Sequence, residues 1–254
     1  MTLSITIVRY RVKIIKNKDV SFHKHFDCVD STQDCAQTML PATHQSKIAI
    51  ISASRQKKGR GRRGRTFFST QEKGLWVSII VPIKELGDHF QINQALSLAL
   101  LSAVNDRLQG KKVEIKWPND LYISDKKVAG LLLESRSSYP TIIAGFGLNV
   151  NFTVDDFPEE LQTIATSLLI ESSQENNLSD ILFDIIMHFI HFKRLDKNEV
   201  HRYYLDNVKG VGRMVSIEGQ IGLLIGVAPT GSCKILMNNE EREFQSGTLR
   251  FIEH

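Results

Sequence analysis

Between Val113 and Phe152 the chain offers four short apolar runs, Val113–Trp117, Leu121–Ser124, Val128–Glu134 and Thr141–Phe152. Parallel neighbours need a crossover of a dozen or more residues, and no such length lies between these runs, so they must pair antiparallel. Turn-forming residues stand where each run stops: Asn119-Asp120, Ser124-Asp125-Lys126 and Ser137-Ser138. A mostly antiparallel sheet is therefore required whatever surrounds it.

The flanking sequence supplies its helices. Ser31 with Asp34 three residues later reads as a capping box that opens a short helix to about Leu40. Lys47–Ser54 and Leu75–Pro82 are apolar runs suited to buried strands. From Gln91 to Gln109, Ile92, Ala95, Leu96, Ala99, Leu100, Ala103, Val104 and Leu108 recur at helical spacing and Gly110 supplies a stop, predicting a helix with one face on the sheet. A second long helix is predicted from Ser179 to about Asn207, with Ile181, Leu182, Ile185, Ile186, Phe189 and Ile190 inward. Beyond Gly212 the runs shorten, separated by Pro229-Thr230-Gly231 and Asn238-Asn239, which predicts a small β-barrel. The opening residues 1–18 alternate apolar and cationic side chains and read as a strand, not a signal peptide. The expected architecture is α+β: a mixed, mostly antiparallel sheet packed with helices over residues 1–207, then an all-β cap over 208–254.

An apolar fraction of 42% excludes a disordered chain, and no run reaches the roughly 20 apolar residues of a membrane span. The net charge of +4 is local in origin. Arg55, Lys57, Lys58, Arg60, Arg62, Arg63 and Arg65 place 7 cations in 11 residues without an acid, leaving 25 cations against 28 acids elsewhere. A focused cationic segment on a mildly acidic body points to an anion site. Cys28, Cys35 and Cys233 are odd in number and match no zinc spacing, which favours a reducing compartment, expected to be the cytoplasm.

Gly59 to Arg65 (GRGRRGR) satisfies G-x-G-x-x-G, but that fingerprint needs a helix behind it, and Thr66-Phe67-Phe68-Ser69 is a poor helix and a plausible strand. Taken alone, the stretch is most simply a solvated basic loop or a nucleic-acid patch. Glycines that free the backbone, alternating with guanidinium forks, equally suit a compact phosphate or carboxylate. The second feature is Lys116-Trp117-Pro118-Asn119-Asp120, followed by Lys127 and Ala129-Gly130. A strand, turn and returning strand bring Asp120 and Lys127 together: the lysine offers a point charge to oxyanions, the aspartate an oxygen to hydrated Mg²⁺. Singly, each residue fits an ordinary hairpin with surface charges.

In combination the chain resembles the biotin protein ligase family, the biotin–[acetyl-CoA-carboxylase] ligases. The likeness rests on Asp30-Ser31-Thr32-Gln33, Gln56 through Arg65, Lys116 through Gly130 and Gly145 through Asn149, and covers about residues 20 to 254. It implies a central α+β domain related to lipoate ligases, followed by an SH3-like barrel. Some members also carry an N-terminal winged helix that binds an operator; residues 1–30 leave no room for one, so the expectation is an enzyme-only type that does not bind DNA or membranes.

The resemblance implies two half-reactions. Biotin's carboxylate attacks the α-phosphate of ATP to give biotinyl-5′-AMP, and a lysine of a biotin carboxyl carrier protein then attacks that anhydride. Ser31, Thr32 and Gln33 would contact the biotin rings. Gln56, Gly59 and Arg60-Gly61-Arg62 would close over its carboxylate end, with Gly130 and Gly145 completing the pocket. Arg62 and Lys127 would be catalytic, stabilising the α-phosphate charge, and Lys127 would also orient the carboxylate. Arg65, Phe67, Trp117, Asn119, Asp120 and Asn149 would hold the nucleotide, Asn149 at the adenine edge and Asp120 also at Mg²⁺. No prosthetic group is expected. Phe67 stands where some members have a tryptophan stacking on adenine, and Gln33 where asparagine is common. Trp117 and Pro118 also fit as a buried aromatic and a strand end, while His188 and His191 are expected not to bind metal. The rival readings are a lipoate or octanoate ligase of the same fold, a cysteine-dependent acyltransferase, and, from another class, a nucleic-acid-binding module. Sheet edges leave a homodimer open.

Overall fold

The computed structural model describes residues 13–40, 46–83, 88–136 and 139–252. Seven strands form one sheet: β1 (Val20–Val29), β2 (Ile48–Gln56), β3 (Gly74–Pro82), β4 (Val113–Lys116), β5 (Asp120–Ile123), β6 (Lys126–Arg136) and β7 (Tyr139–Asn149). Their order is β1-β2-β3-β7-β6-β5-β4, and β1–β2 is the one parallel pair among them. The tight connections from β4 to β7 give the antiparallel ladder that their lengths demand. The expected turn at Ser137-Ser138 lies outside the described residues. So does most of the strand expected at residues 1–18; its described part, 13–18, is not a strand but an irregular segment ending in a turn before β1.

Alternation along the strands separates two cores. On one face, α1 (Thr32–Met39) packs Ala36 and Leu40 against Ala49, Ile51, Ile80 and Ile143. Ser31 caps this helix by accepting from the Gln33 amide, while the Asp34 carboxylate goes to Arg60, so the capping box is half formed. The opposite face carries the main core. There α2 (Asp88–Asn105) was expected to bury one side, but it is buried almost all round from Ile92 to Val104. Helices α5 (Leu178–Arg194) and α6 (Lys197–Asp206) cover its outer side, which makes α2 the central helix of the protein. At roughly 1.5–3 kcal/mol for each fully buried large aliphatic, this three-deep packing is a main source of stability.

The long helix expected from Ser179 to Asn207 is two helices. Asp196 stops the first and caps the second, its carboxylate accepting from the amides of Asn198 and Glu199. Two short helices, α3 (Glu159–Gln162) and α4 (Leu168–Ser172), precede α5. The C-terminal segment folds into a second, antiparallel sheet of β8 (Met214–Ile217), β9 (Gln220–Val227), β10 (Cys233–Met237), β11 (Glu240–Phe244) and β12 (Leu249–Phe251), in the order β11-β10-β9-β8-β12. Its turns Glu218-Gly219 and Asn238-Asn239 have positive φ at both residues, as two-residue hairpins on right-twisted strands require. Val215, Ile217, Leu224 and Ile235 join the main core, and Trp117 Nε1 donates to Gly231 O at 2.9 Å, so the two sheets share one apolar interior. Among the described residues no helix is long and apolar enough to cross a membrane.

Candidate active site

Period-two alternation builds the floor of a cavity. Along β7, Ala144, Phe146 and Leu148 enter the main core, so Gly145 and Gly147 face the other way, on the side of α1. Gly147 pairs with Gly130 of β6, and the patch is bare backbone. A methyl at Gly145 would stand 2.7 Å from Gln33 Oε1, and one at Gly147 2.5 Å from the Phe67 ring. These glycines are therefore required by close approach: Gln33 and the aromatic ring lie on the strands.

The N-terminus of α1 forms one end. Ser31, Thr32 and Gln33 are buried, and Thr32 donates through both its amide and hydroxyl to Gln56 Oε1, at 2.8 and 3.1 Å. Gln56 Nε2 donates in turn to Ser69 Oγ at 3.1 Å, so this side chain pegs the helix to the β2–β3 connection. Gln33 Oε1 is buried with no hydrogen-bond partner among the described residues. Such an acceptor is costly unless a ligand or water donates to it.

The cationic loop closes the roof. Gly59 crosses so near Ser69 and the Phe67 carbonyl that a side chain would collide. Beyond it Arg60 bridges Thr66, and the Gly61 amide donates to Arg65 O at 2.7 Å. The tip, Arg62–Gly64, is a single turn with Arg63 left-handed at φ 56°. No helix follows, which removes the dinucleotide fingerprint, and the strand expected at Thr66–Ser69 is only the bridge at Thr66.

The loop's charges are divided. Lys58 pairs with Asp30 at 2.8 Å, Arg60 with Asp34 and Glu134 at 2.8 and 3.1 Å, and Arg63 with Glu218 at 3.0 Å. Arg62 and Arg65 have no carboxylate partner among the described residues; they donate to Asn119 Oδ1 and Thr248 Oγ1, both at 3.4 Å. Burial, then the neighbouring Arg63 charge, lowers the Arg62 guanidinium pKa, with Asp120 partly offsetting both. A half-buried cation without a counter-charge is a place for an anion.

Opposite the loop, Lys127 Nζ pairs with Asp120 Oδ1 at 2.8 Å and lies 5.5 Å from the Phe67 ring centre. The antiparallel register sets Asp120 beside both Lys116 and Gly130. Lys116 stacks over Tyr122 and Phe251 at 4.9 and 5.4 Å, and burial lowers its ammonium pKa. Burial also pushes the Tyr122 hydroxyl up to about 12, so it stays protonated.

One cavity of about 220 Å³ gathers these groups. Of the residues singled out from sequence, Ser31, Thr32, Gln33, Gln56, Arg60, Gly61, Arg62, Arg65, Phe67, Trp117, Asn119, Asp120, Lys127, Gly130 and Gly145 line it. Gly59 and Asn149 do not: Gly59 shapes the loop base, and the buried Asn149 amide donates to Thr166 O at 3.0 Å. Lys116, Tyr122 and Gly147, which lie inside the motifs quoted from sequence but were given no role there, also line it, as does the Gly247–Leu249 segment, which no motif marks. Gly147 was available from its two-residue spacing to Gly145. Nothing local marks Gly247–Leu249, which arrives from the second sheet.

The two-sheet α+β fold thus sets a glycine floor, a buried polar end and a cationic roof around one cavity. Residues 25–151 match the model of the Biotin/lipoate A/B protein ligase family, and the chain belongs to that family. Over 167 residues it is 33% identical to the bifunctional ligase/repressor BirA of Bacillus spizizenii, a match covering 64% of this chain and 51% of that protein. Over 127 residues it is 34% identical to the biotin–[acetyl-CoA-carboxylase] ligase of Mycobacterium tuberculosis, covering 47% and 44%. The chain thus spans about half the length of the curated relatives it matches. Among solved structures, the biotin protein ligase of Aquifex aeolicus in complex with biotin and ATP superposes with a TM-score of 0.78 at 28% identity, covering 91% of this chain and 99% of that one.

Proposed function

We propose that this chain is an ATP-dependent biotin protein ligase. Biotin's carboxylate displaces pyrophosphate from the α-phosphate of ATP, giving biotinyl-5′-AMP; the amine of a lysine on a biotin carboxyl carrier protein then takes the biotinyl group and AMP leaves. The observation that carries this reading is a single cavity lined both by an unpartnered neutral acceptor, Gln33 Oε1, and by the cations Arg62 and Lys127. Biotin has the matching polarity, ring N–H donors at one end and a carboxylate at the other.

Carboxylate and triphosphate repel each other, so the protein must supply charge and alignment, the latter alone contributing about 7 to 11 kcal/mol in well-oriented reactions. Arg62, whose partner Asn119 is neutral, and Lys127 would stabilise charge on the α-phosphate. Asp120 orients Lys127 through their ion pair. Mg²⁺ arriving with ATP would need only one or two carboxylates beside the phosphates, a demand Asp120 meets although no cluster of three metal-binding side chains exists among the described residues. Phe67, on its glycine patch, would offer an aromatic face to adenine. No protein nucleophile is required. Burial raises the thiol pKa of Cys35 and pushes Cys233 up to about 12, the reverse of what a cysteine acyltransferase needs, and no cysteine lines the cavity.

The lipoate reading fits the cationic end equally well, but a dithiolane ring has no N–H for Gln33. A nucleic-acid patch would want a free cationic surface, whereas Lys58, Arg60 and Arg63 are committed to acids. Incubation with ATP, Mg²⁺, biotin and a carrier domain, beside lipoate, separates the readings: biotin-dependent mass gain on one carrier lysine is expected. Lipoate labelling alone, or no labelling with salt-sensitive nucleic-acid binding, would replace the proposal.

A further inference from the structure

Glu134 of β6 does not line the cavity, yet it touches both ends of it. Its Oε2 accepts from Gln33 Nε2 at 3.0 Å and Gln37 Nε2 at 3.3 Å, both on α1, and from Arg60 Nη2 at 3.1 Å at the base of the loop. The Gln33 Nε2 group also meets the carbonyls of Leu132 and Ile143, at 3.3 and 3.5 Å. Three acceptors converge on that nitrogen. A flipped amide would set oxygen against all three, and the carboxylate makes that arrangement the worst of the two. The amide oxygen is thereby turned the other way, over Gly145, where it has no partner among the described residues.

We propose that Glu134 is a positioning residue that determines specificity. It presents Gln33 to the ligand as an acceptor only, and through Arg60 it holds the cationic loop in register with that acceptor. The consequence is selection for an acid whose far end carries an N–H donor, a cyclic urea over a dithiolane; this rests on the biotin reading above. The charge of Glu134 matters because a neutral amide in its place would offer its own N–H to Gln33, allowing the flip, and would loosen Arg60.

The test compares Glu134→Gln and Glu134→Asp with the parent chain, each with its urea midpoint measured. Without ligand, the Gln33 side-chain amide resonance, identified by its loss in Gln33→Leu, should shift and exchange faster in Glu134→Gln, as should the backbone amides of Gly61 and Arg65. Calorimetry with biotin should then show binding weakened on the order of tenfold, the loss of one well-oriented hydrogen bond. Preference for biotin over lipoate should fall in parallel and the KM for ATP should stay within roughly twofold. Glu134→Asp, which keeps the charge, should fall between and serves if the glutamine variant does not fold. An unmoved Gln33 resonance with unchanged loop exchange overturns the proposal, as does an equal rise in the biotin and ATP constants. Should the parent chain bind no biotin, the functional reading fails, while the ligand-free measurements still decide the role of Glu134.

Discussion

The two walls of the cavity are made differently. The floor is buried sheet: Gly130, Gly145 and Gly147 lie on strands paired on both sides and backed by the main core, and Lys127 rises from it with its backbone bonded to Ile164 and Thr166. The roof is a loop whose base is held by backbone bonds, Lys57 and Lys58 to the carbonyls of Val29 and Asp30 and Phe67 to that of Gly59, and by Arg60 on Asp34 and Glu134, while its tip meets the rest of the fold through side chains, Arg63 on Glu218. Exposed ion pairs of that kind contribute about 0.2–1 kcal/mol each, enough to bias where the tip rests. The floor fixes geometry, and the roof supplies charge. Within the roof the same division recurs, since Arg60 and Arg63 are paired with acids while Arg62 and Arg65 have no carboxylate partner among the described residues.

Five substitutions would break or sharpen that contrast. Under the proposed reaction, Lys127→Ala should slow biotinyl-AMP formation roughly 10²- to 10³-fold with the urea midpoint retained; pyrophosphate release at the parent rate would remove the floor's catalytic part. Arg62→Ala should cost roughly 10²-fold and let adenylate escape into solution. Arg63→Ala assayed beside it must do much less, because equal losses would erase the division between holding and binding arginines. Gly147→Ala places a methyl 2.5 Å from the Phe67 ring. It should raise the KM for ATP roughly tenfold by misplacing that ring while leaving the biotin constant alone, and a shift in biotin binding instead would mean that the floor is not partitioned. The smallest effect is expected of Glu218→Gln, roughly two- to fivefold faster loop exchange, disappearing at high salt; a larger change that persists in salt would make the tip a rigid element.

Much of this was legible in the chain. Short connections dictated the antiparallel pairs from β4 to β7, and GRGRRGR with KWPND marked the charged part of the cavity lining, the assignment of roles resting on the family resemblance. The break at Leu195 has a local signal, Asp196 with Glu199 three residues on, which the reading of one long helix did not take up. The burial of α2 on all sides was not legible, since helical periodicity records apolar positions and not how many neighbours will cover them. Asn149 shows the same limit: alternation along β7 gives its face, yet its amide is drawn to Thr166 on a segment folded over the strand end.

The sequence by itself determined the antiparallel pairing from β4 to β7, the long central helix and the presence of a cationic glycine loop and a lysine-bearing hairpin, for these follow from spacing, chirality and side-chain chemistry within a few residues. Only the tertiary structure decided which cations are neutralised and which are left to a ligand. The acids that make that choice, Asp34, Glu134 and Glu218, come from α1, β6 and the β8–β9 turn, and distance along the chain carries no information about a Coulomb contact a few ångströms long.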